Sequence, residues 1–275
     1  MKRILFILLA LTISFGLKAE ETASEVKSTA TKTTKATKAK SAKTKVYKKK
    51  DVYQCSEDEK KTCDAKGKPI TGVLKTYYDN GKPNTEVNYK DGMLNGLSTT
   101  YYKNGKMEGE INFKNGEMDG LIKLYHKNGK LNTEVNFKDG KKEGPLKSYH
   151  ENGNLKSEFT FKNDKEEGIG KNYYENGKLE VEGSFKNGKQ TGISKRYYKN
   201  GKLMSKSNYK DGKMDGTAEY HGEKGERFDI IYKNGQPLSG YLYDGSQKIK
   251  LTKKELDLIR ARIELESMLK KNRSN

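Results

Sequence analysis

The residues best suited to chemistry in this chain recur at a fixed interval. Glu86, Glu110, Glu134, Glu158 and Glu182 lie 24 positions apart, and His126 and His150 are separated by the same step. Paired carboxylates could act as acid and base on a glycosidic bond, and two histidines could begin a zinc site. Both readings fail on spacing. If each step is one hairpin, like residues in neighbouring steps lie two strands apart, about 9.6 Å by the strand spacing. Zinc holds each ligand at about 2 Å, so a shared ion would demand large side-chain convergence. The glutamates, with lysines nearby in most steps, read as a solvated, partly charge-balanced face. His126 and His150 read as replacements for tyrosine in an aromatic column; the third histidine, His221, stands in the other column. No Ser/His/Asp set suggests itself, and no Gly-rich turn opens into a helix as a phosphate-binding loop would. We assign no catalytic, cofactor-binding or metal-binding residue and expect no enzyme. A catalytic site needs unlike groups that converge once, whereas each unit here duplicates its neighbour.

The remaining reactive groups are Cys55 and Cys63. The chain opens like an export signal: Lys2 and Arg3, an apolar run from Ile4 to Leu17, and a small residue at Ala19. That run is short for a membrane span, so residues 1–19 are expected to be cleaved, leaving no transmembrane segment. Export into an oxidising compartment predicts a Cys55–Cys63 disulfide.

The elements that position these groups follow from the repeat. Gly72, Gly96, Gly120, Gly144, Gly168, Gly192, Gly216 and Gly240 are each 24 apart, which marks seven units over 72–240. Each unit reads as two strands and two turns. Asn-Gly pairs end on Gly81, Gly105, Gly129, Gly153, Gly177 and Gly201; a second series runs from Asp91-Gly92 to Asp211-Gly212. Both series read as two-residue type I′ turns, which need positive φ at both central residues. The second strand alternates: Leu131, Thr133, Val135 and Phe137 face one way, Asn132, Glu134 and Asn136 the other. The first strand carries Tyr77, Tyr101, Tyr125, Tyr149, Tyr173 and Tyr197 in one column. The neighbouring column holds Tyr102, His126, His150, Tyr174 and Tyr198. The fold class expected is all-β: an elongated single antiparallel meander of tandem 24-residue hairpins with a C-terminal capping helix.

Composition agrees with a thin, repetitive protein. Only 32% of the 275 residues are hydrophobic, 34% are charged and tryptophan is absent, too little apolar matter for a thick core. The formal charge of +19 is concentrated towards the N-terminus. Residues 20–50, rich in Lys, Thr and Ala, are expected to form a disordered linker. Residues 51–71 form a cap holding the cysteine pair. Residues 241–275 carry a second cap, with a Thr252–Glu255 capping box and a Leu251–Leu256 staple. The helix should then share a face of Leu258, Ala261, Leu265, Met268 and Leu269 and cover the open last strand.

The unit G-x4-YY-x-NGKL-x2-E-x2-FKNGK-x2-G resembles the bacterial variant of the MORN repeat, the form found in YwqK-type proteins often labelled antitoxins. The resemblance covers 72–240. It implies a β-hairpin array making protein or membrane-lipid contacts, and it supplies no catalytic residue. The expected function is an exported, non-enzymatic protein-interaction scaffold at the cell envelope or outside the cell. Its binding surface would be the ladder Tyr102, His126, His150, Tyr174 and Tyr198 if solvent-facing, or the Tyr77–Tyr197 column if not. The alternatives are an envelope glycan or anionic-polymer binder, and an antitoxin that neutralises a toxin directly. A protein partner is expected first; glycan or anionic lipid is possible, nucleic acid is not expected, and no cofactor is required.

Overall fold

The computed structural model describes residues 45–55 and 58–261. The expected signal, most of the Lys-rich linker, and Leu265, Met268 and Leu269 lie outside the described residues. The described residues divide into two compact units, one ending at Lys165 and one beginning at Glu166. Apart from a 3-10 turn at Lys49–Asp51 and a helix over 253–261, the described structure is strand and turn.

In the first unit, strands Gly72–Tyr77 and Pro83–Lys90 begin an antiparallel meander that continues, hairpin by hairpin, to Leu155–Lys162. The expected alternation holds: along Leu131–Lys138, Thr133, Val135 and Phe137 are buried and the intervening residues are half-buried. Val87, Ile122, Val135 and Leu146 are at most 1% exposed. A flat single sheet would leave both faces in water, so these values require the sheet to curl over its apolar face. The repeated glycine supplies the bend. Where Val135 faces Leu146, the next pair is Phe137 with Lys142, so the strand around Gly144 bulges. Gly144 has φ of 88° and Gly120 of 103°, values that a residue with a Cβ adopts only with strain. The asparagine opposite caps the bend: Asn112 donates to the Leu121 carbonyl at 2.6 Å.

The two turn series are built differently, which corrects the expectation. Asp91 and Gly92, with φ of 50° and 81°, form the type I′ turn anticipated, and Asn163 with Asp164 (50° and 65°) does so without glycine. The Asn-Gly series ending on Gly81, Gly105, Gly129, Gly153, Gly177 and Gly201 is not type I′. Its glycines have positive φ but its asparagines do not. Gly81 donates to the Tyr78 carbonyl, and Tyr78 donates to the Lys82 carbonyl. That is a three-residue loop ending in a left-handed glycine. The asparagine is used for its side chain instead: Asn80 Oδ1 accepts from the Lys82 amide at 3.1 Å.

The start of the array is covered by residues expected partly as linker. Val46–Lys48 is a strand, paired in parallel with Val73–Lys75, so the linker range of 20–50 ends too late. Tyr47 is buried with Ile70, Leu74 and Tyr89; hydrophobic burial of that one ring outweighs the lysines around it. Strands Val52–Gln54 and Thr62–Asp64 form a small hairpin whose Cys55 and Cys63 are bonded to each other.

The second unit repeats the pattern from Lys165–Tyr173 to Lys213–His221. Its central interior row is small: Gly170 faces Gly183, Gly183 faces Ser194, and Ser194 faces Ser207. The sheet does not stop at Gly240, where the repeat count ends. Strand Gln236–Asp244 runs through it and pairs with Gln247–Lys250. The helix then begins with the expected capping box: Thr252 N–H donates to Glu255 Oε2 at 2.8 Å, and the Glu255 amide to Thr252 Oγ1 at 3.3 Å. Its buried face differs from the expected one. Leu256 and Ile259, with Leu251, pack on Tyr220, Phe228, Ile230 and Leu242, while Ala261 is exposed. The helix therefore covers the apolar face of the last hairpins. A face left bare costs buried apolar area, and here that area fixes the helix rotation.

Turn geometry outweighs charge in this scheme. Gly129→Val places a β-branched residue at φ of 91° and should cost about 1–3 kcal/mol. Lys127→Ala, at an exposed loop residue, should stay within about 0.5 kcal/mol of wild type. Chemical denaturation monitored by circular dichroism checks both; equal midpoints would contradict the turn assignment.

Candidate functional site

Successive first turns within a unit are tied together by side chains, three of them in the fullest cases. In the turn that follows Tyr101, the Tyr102 hydroxyl donates to the Tyr125 carbonyl at 2.6 Å. Asn104 Nδ2 donates to the Lys127 carbonyl at 3.2 Å, and Lys106 Nζ to the Asn128 carbonyl at 2.6 Å. The same three bonds join Tyr174, Asn176 and Lys178 to Tyr197, Lys199 and Asn200 in the second unit. Tyr198 continues the series onto the His221 carbonyl at 2.7 Å. These groups satisfy turn carbonyls that would otherwise depend on water.

His126 belongs to this series. Its Nε2 lies 2.9 Å from the Tyr149 carbonyl, and its Nδ1 lies 3.1 Å from Asn132 Nδ2. The neutral ring with the proton on Nε2 satisfies both contacts at once. Histidine thus takes over the hydroxyl's role, and neither ring nitrogen is left for a metal. His150 occupies the equivalent turn position, half-buried. In the expected ladder Tyr102, His126, His150, Tyr174 and Tyr198, the hydroxyls of Tyr102, Tyr174 and Tyr198 and the ring nitrogens of His126 are used within the molecule, and the rings are half-buried. Sequence spacing placed the column correctly but could not show where the polar tips point.

The other tyrosine column faces the glutamates. Tyr125 donates to Glu110 at 2.7 Å, Tyr149 to Glu134 at 2.8 Å, and Tyr197 to Glu182 at 3.3 Å. Lysines complete the face: Lys75 meets Glu86 at 2.7 Å, and Lys195 meets Glu182 at 3.6 Å. Lys206 meets Glu219 at 3.2 Å in the last repeats. Tyr77 is 57% exposed, and Tyr101, Tyr125, Tyr149, Tyr173 and Tyr197 are half-buried. The carboxylate column reads here as neither a glycosidase pair nor a bare charged strip. Glu86, Glu110, Glu134 and Glu182 are each fixed by a hydroxyl or an ammonium, giving a polar, aromatic face. A tyrosine and a glutamate 15 residues apart is the sequence signal for this pairing, one that column spacing alone does not reveal.

The second turns are linked by backbone. Gly116 donates to the Leu94 carbonyl and Gly140 to that of Met118, each reaching into the preceding repeat. The residue before the bend receives the turn amide in several repeats: Glu143 accepts from Asn163 at 2.9 Å, Glu167 from Asn187 at 3.0 Å, and the Thr71 hydroxyl from Asp91 at 3.0 Å. Among the described residues no group of three or more His, Cys, Asp or Glu side chains is arranged to hold a metal ion.

Two outcomes follow. Removing one turn hydroxyl, as in Tyr102→Phe, should cost about 1 kcal/mol, while Tyr77→Phe, on an exposed ring with no hydroxyl role in the turn series, should be near neutral; thermal melts compare them. On the outer face, burial followed by the hydrogen bonds to Glu110 and Glu134 pushes the Tyr125 and Tyr149 hydroxyls up to about 12. Raised folded values mean that the unfolded chain ionises first. The stabilisation is complete below about pH 10, where an unfolded tyrosine titrates, and is lost as pH rises towards 12. Phenolate absorbance should lose two late-titrating tyrosines in a Tyr125→Phe/Tyr149→Phe variant, while Tyr209 and Tyr232, whose hydroxyls burial pushes up, still titrate late.

The chain was compared with known proteins. The MORN repeat variant model matches six successive segments, residues 70–91, 94–115, 118–139, 142–163, 166–187 and 190–211. No curated protein matches the chain significantly. The matched segments run from one second turn to the next, and they stop before Gly216, where the glycine-aromatic pattern degenerates into the C-terminal cap. Six tandem matches in register with the hairpins make this chain a member of the MORN-variant repeat family.

Proposed function

We propose that this protein is an exported, non-enzymatic scaffold that binds another protein through the outer Tyr77–Tyr197 column and its glutamates and lysines. One observation carries the reading: these rings are partly exposed while their polar tips are held by Glu110, Glu134 and Glu182. Rigid aromatic area with fixed hydrogen-bonding edges loses little entropy on binding. Because the face recurs with the repeat, contact energy would be spread over several equivalent sites. The export signal read in residues 1–19 supports a place outside the cytoplasm. Among the described residues no helix is long and apolar enough to cross a membrane. An antitoxin role would instead require the protein to remain inside the cell.

Affinity capture from the native organism with the mature chain tests this. Tyr101→Ala and Tyr125→Ala should each weaken capture about fivefold, the equivalent of roughly 1 kcal/mol at an interface position that is not a hot spot. The two rings stand in neighbouring repeats, so the double variant should weaken capture further than either alone, and any departure from the product reports their coupling. Tyr102→Phe, on the turn series, should capture normally. Undiminished capture after truncating the whole outer column would reject the face, and cell fractionation that finds the protein only in the cytoplasm would reject export.

A further inference from the structure

The N-terminal cap leaves a concavity that the repeat array alone would not have. The disulfide-bonded hairpin and the end of the first repeat line an open concavity of about 510 Å³. The floor is the interior face of the first repeat: buried Leu74 and the Thr76 and Thr85 hydroxyls, 2.7 Å apart. This volume lies within the range of small-ligand sites, and all of its lining belongs to the first unit.

The walls are unlike the repeats. Tyr53 from the hairpin and Tyr77 from the first repeat both line the site, 56% and 57% exposed. The Tyr53 ring is held in place by its hydroxyl, which donates to the Lys50 carbonyl at 3.1 Å. Gln54 is held likewise, its Nε2 donating to the Glu59 carbonyl at 2.7 Å. Asn84 adds an amide. Lys49, Lys60 and Lys61 stand against a single lining carboxylate, Glu59. Lys61 is engaged with Asp58 at 3.3 Å. Among the described residues Lys49 and Lys60 make no ion pair within 4.0 Å, although Asp58 lies near Lys60, so the lining cations outnumber its one carboxylate.

From this arrangement we infer that the cap cavity is a binding site for a carboxylated sugar. A flat tyrosine ring, pinned at Tyr53, stacks on the C–H face of a pyranose and leaves its hydroxyls to in-plane partners. Thr76, Asn84 and Gln54 supply such partners. Lys49 and Lys60 supply the charge that a carboxylate needs and a neutral sugar does not. Polar lining on this scale argues against an apolar ligand, whose burial would strand hydroxyls and amides without partners. A short acidic peptide would satisfy the lysines but would offer no dense set of hydroxyls to the threonine and amide walls. The site is separate from the outer face proposed above; only Tyr77 belongs to both, and it is left unaltered in the test.

The experiment is titration calorimetry on the mature, disulfide-bonded chain with two probes, a galacturonic acid tetramer and neutral maltotetraose. The acidic tetramer should bind at least about tenfold tighter than the neutral one. Tyr53→Ala should weaken both probes about tenfold, with the disulfide intact by mass and the melting temperature unchanged. Lys49→Gln with Lys60→Gln should abolish the acidic preference and leave the neutral affinity in place. Free galacturonic acid, run alongside, should compete with the tetramer if one ring fills the site. Backbone amide shifts on titration should cluster at residues 49–54, 59–62 and 74–85, which reports the site even if a variant misfolds. The inference is overturned by equal affinity for the two probes. It is overturned equally by acidic binding that ignores Tyr53→Ala, which would locate it in the Lys-rich segment 24–44, or by shifts confined to Tyr101–Tyr149. Partner capture by the outer face is unaffected by these variants, so either reading can fail alone.

Discussion

The structure depends on satisfying the backbone groups exposed at two rows of tight turns. A hairpin array bends the chain every ten to fourteen residues, and each bend leaves amides and carbonyls with no ladder partner. Here the neighbouring repeat supplies the partner. On one row Tyr102, Asn104 and Lys106 donate to the carbonyls of the next turn. On the other, Gly116 and Gly140 donate backward to Leu94 and Met118. One hairpin could not meet these needs alone, and this is the physical reason for repetition. It also explains why the turn residues vary so little along the chain: a change at one turn strands a carbonyl in the next.

The same constraint decides which tyrosines are available. Two adjacent columns look equivalent as text, yet one is drawn into the turn series and the other meets Glu110, Glu134 and Glu182. The difference is a bulge. Pairing slips between Thr100 and Tyr101, and again at Thr76 and Tyr77, so the second ring leaves the sheet and lies along the loop. Histidine fits the turn column because its Nε2 reaches a carbonyl much as a phenol hydroxyl does. The other column keeps its rings on the sheet, against the glutamates.

The two ends meet the opposite problem: the array has faces and edges that no further repeat covers. At the start, Val46–Lys48 adds a parallel strand and a bonded hairpin closes over the interior. At the other end, Leu251, Leu256 and Ile259 bring a helix onto the aromatic cluster of Tyr220 and Phe228, whose rings stack 4.6 Å apart. Neither cap obeys the repeat, and each forms local surfaces that the repeats lack. The cavity beneath the N-terminal hairpin is one of them.

Much of this was legible in the sequence. The 24-residue period, the alternation through Thr133, Val135 and Phe137, the positive-φ demand at Asp139-Gly140 and the Thr252–Glu255 box all follow from local rules of strand, turn and helix. What the sequence left undecided involves groups distant along the chain. The Asn80-Gly81 turn has the same letters as a type I′ turn, but its asparagine amide is claimed by Lys103 of the next repeat, a bond that exists only once the repeats are stacked. The buried side of the final helix was set by the aromatic surface beneath it, so Ile259 went in and Ala261 stayed out. Tyr47, at the end of a lysine-rich stretch that reads as solvated linker, is held by Ile70, Leu74 and Tyr89. Period and turn chemistry are properties of neighbouring residues and can be read in order. Which hydroxyl meets which carbonyl, and which face is covered, depends on groups 20 or more positions apart, and only their packing decides it.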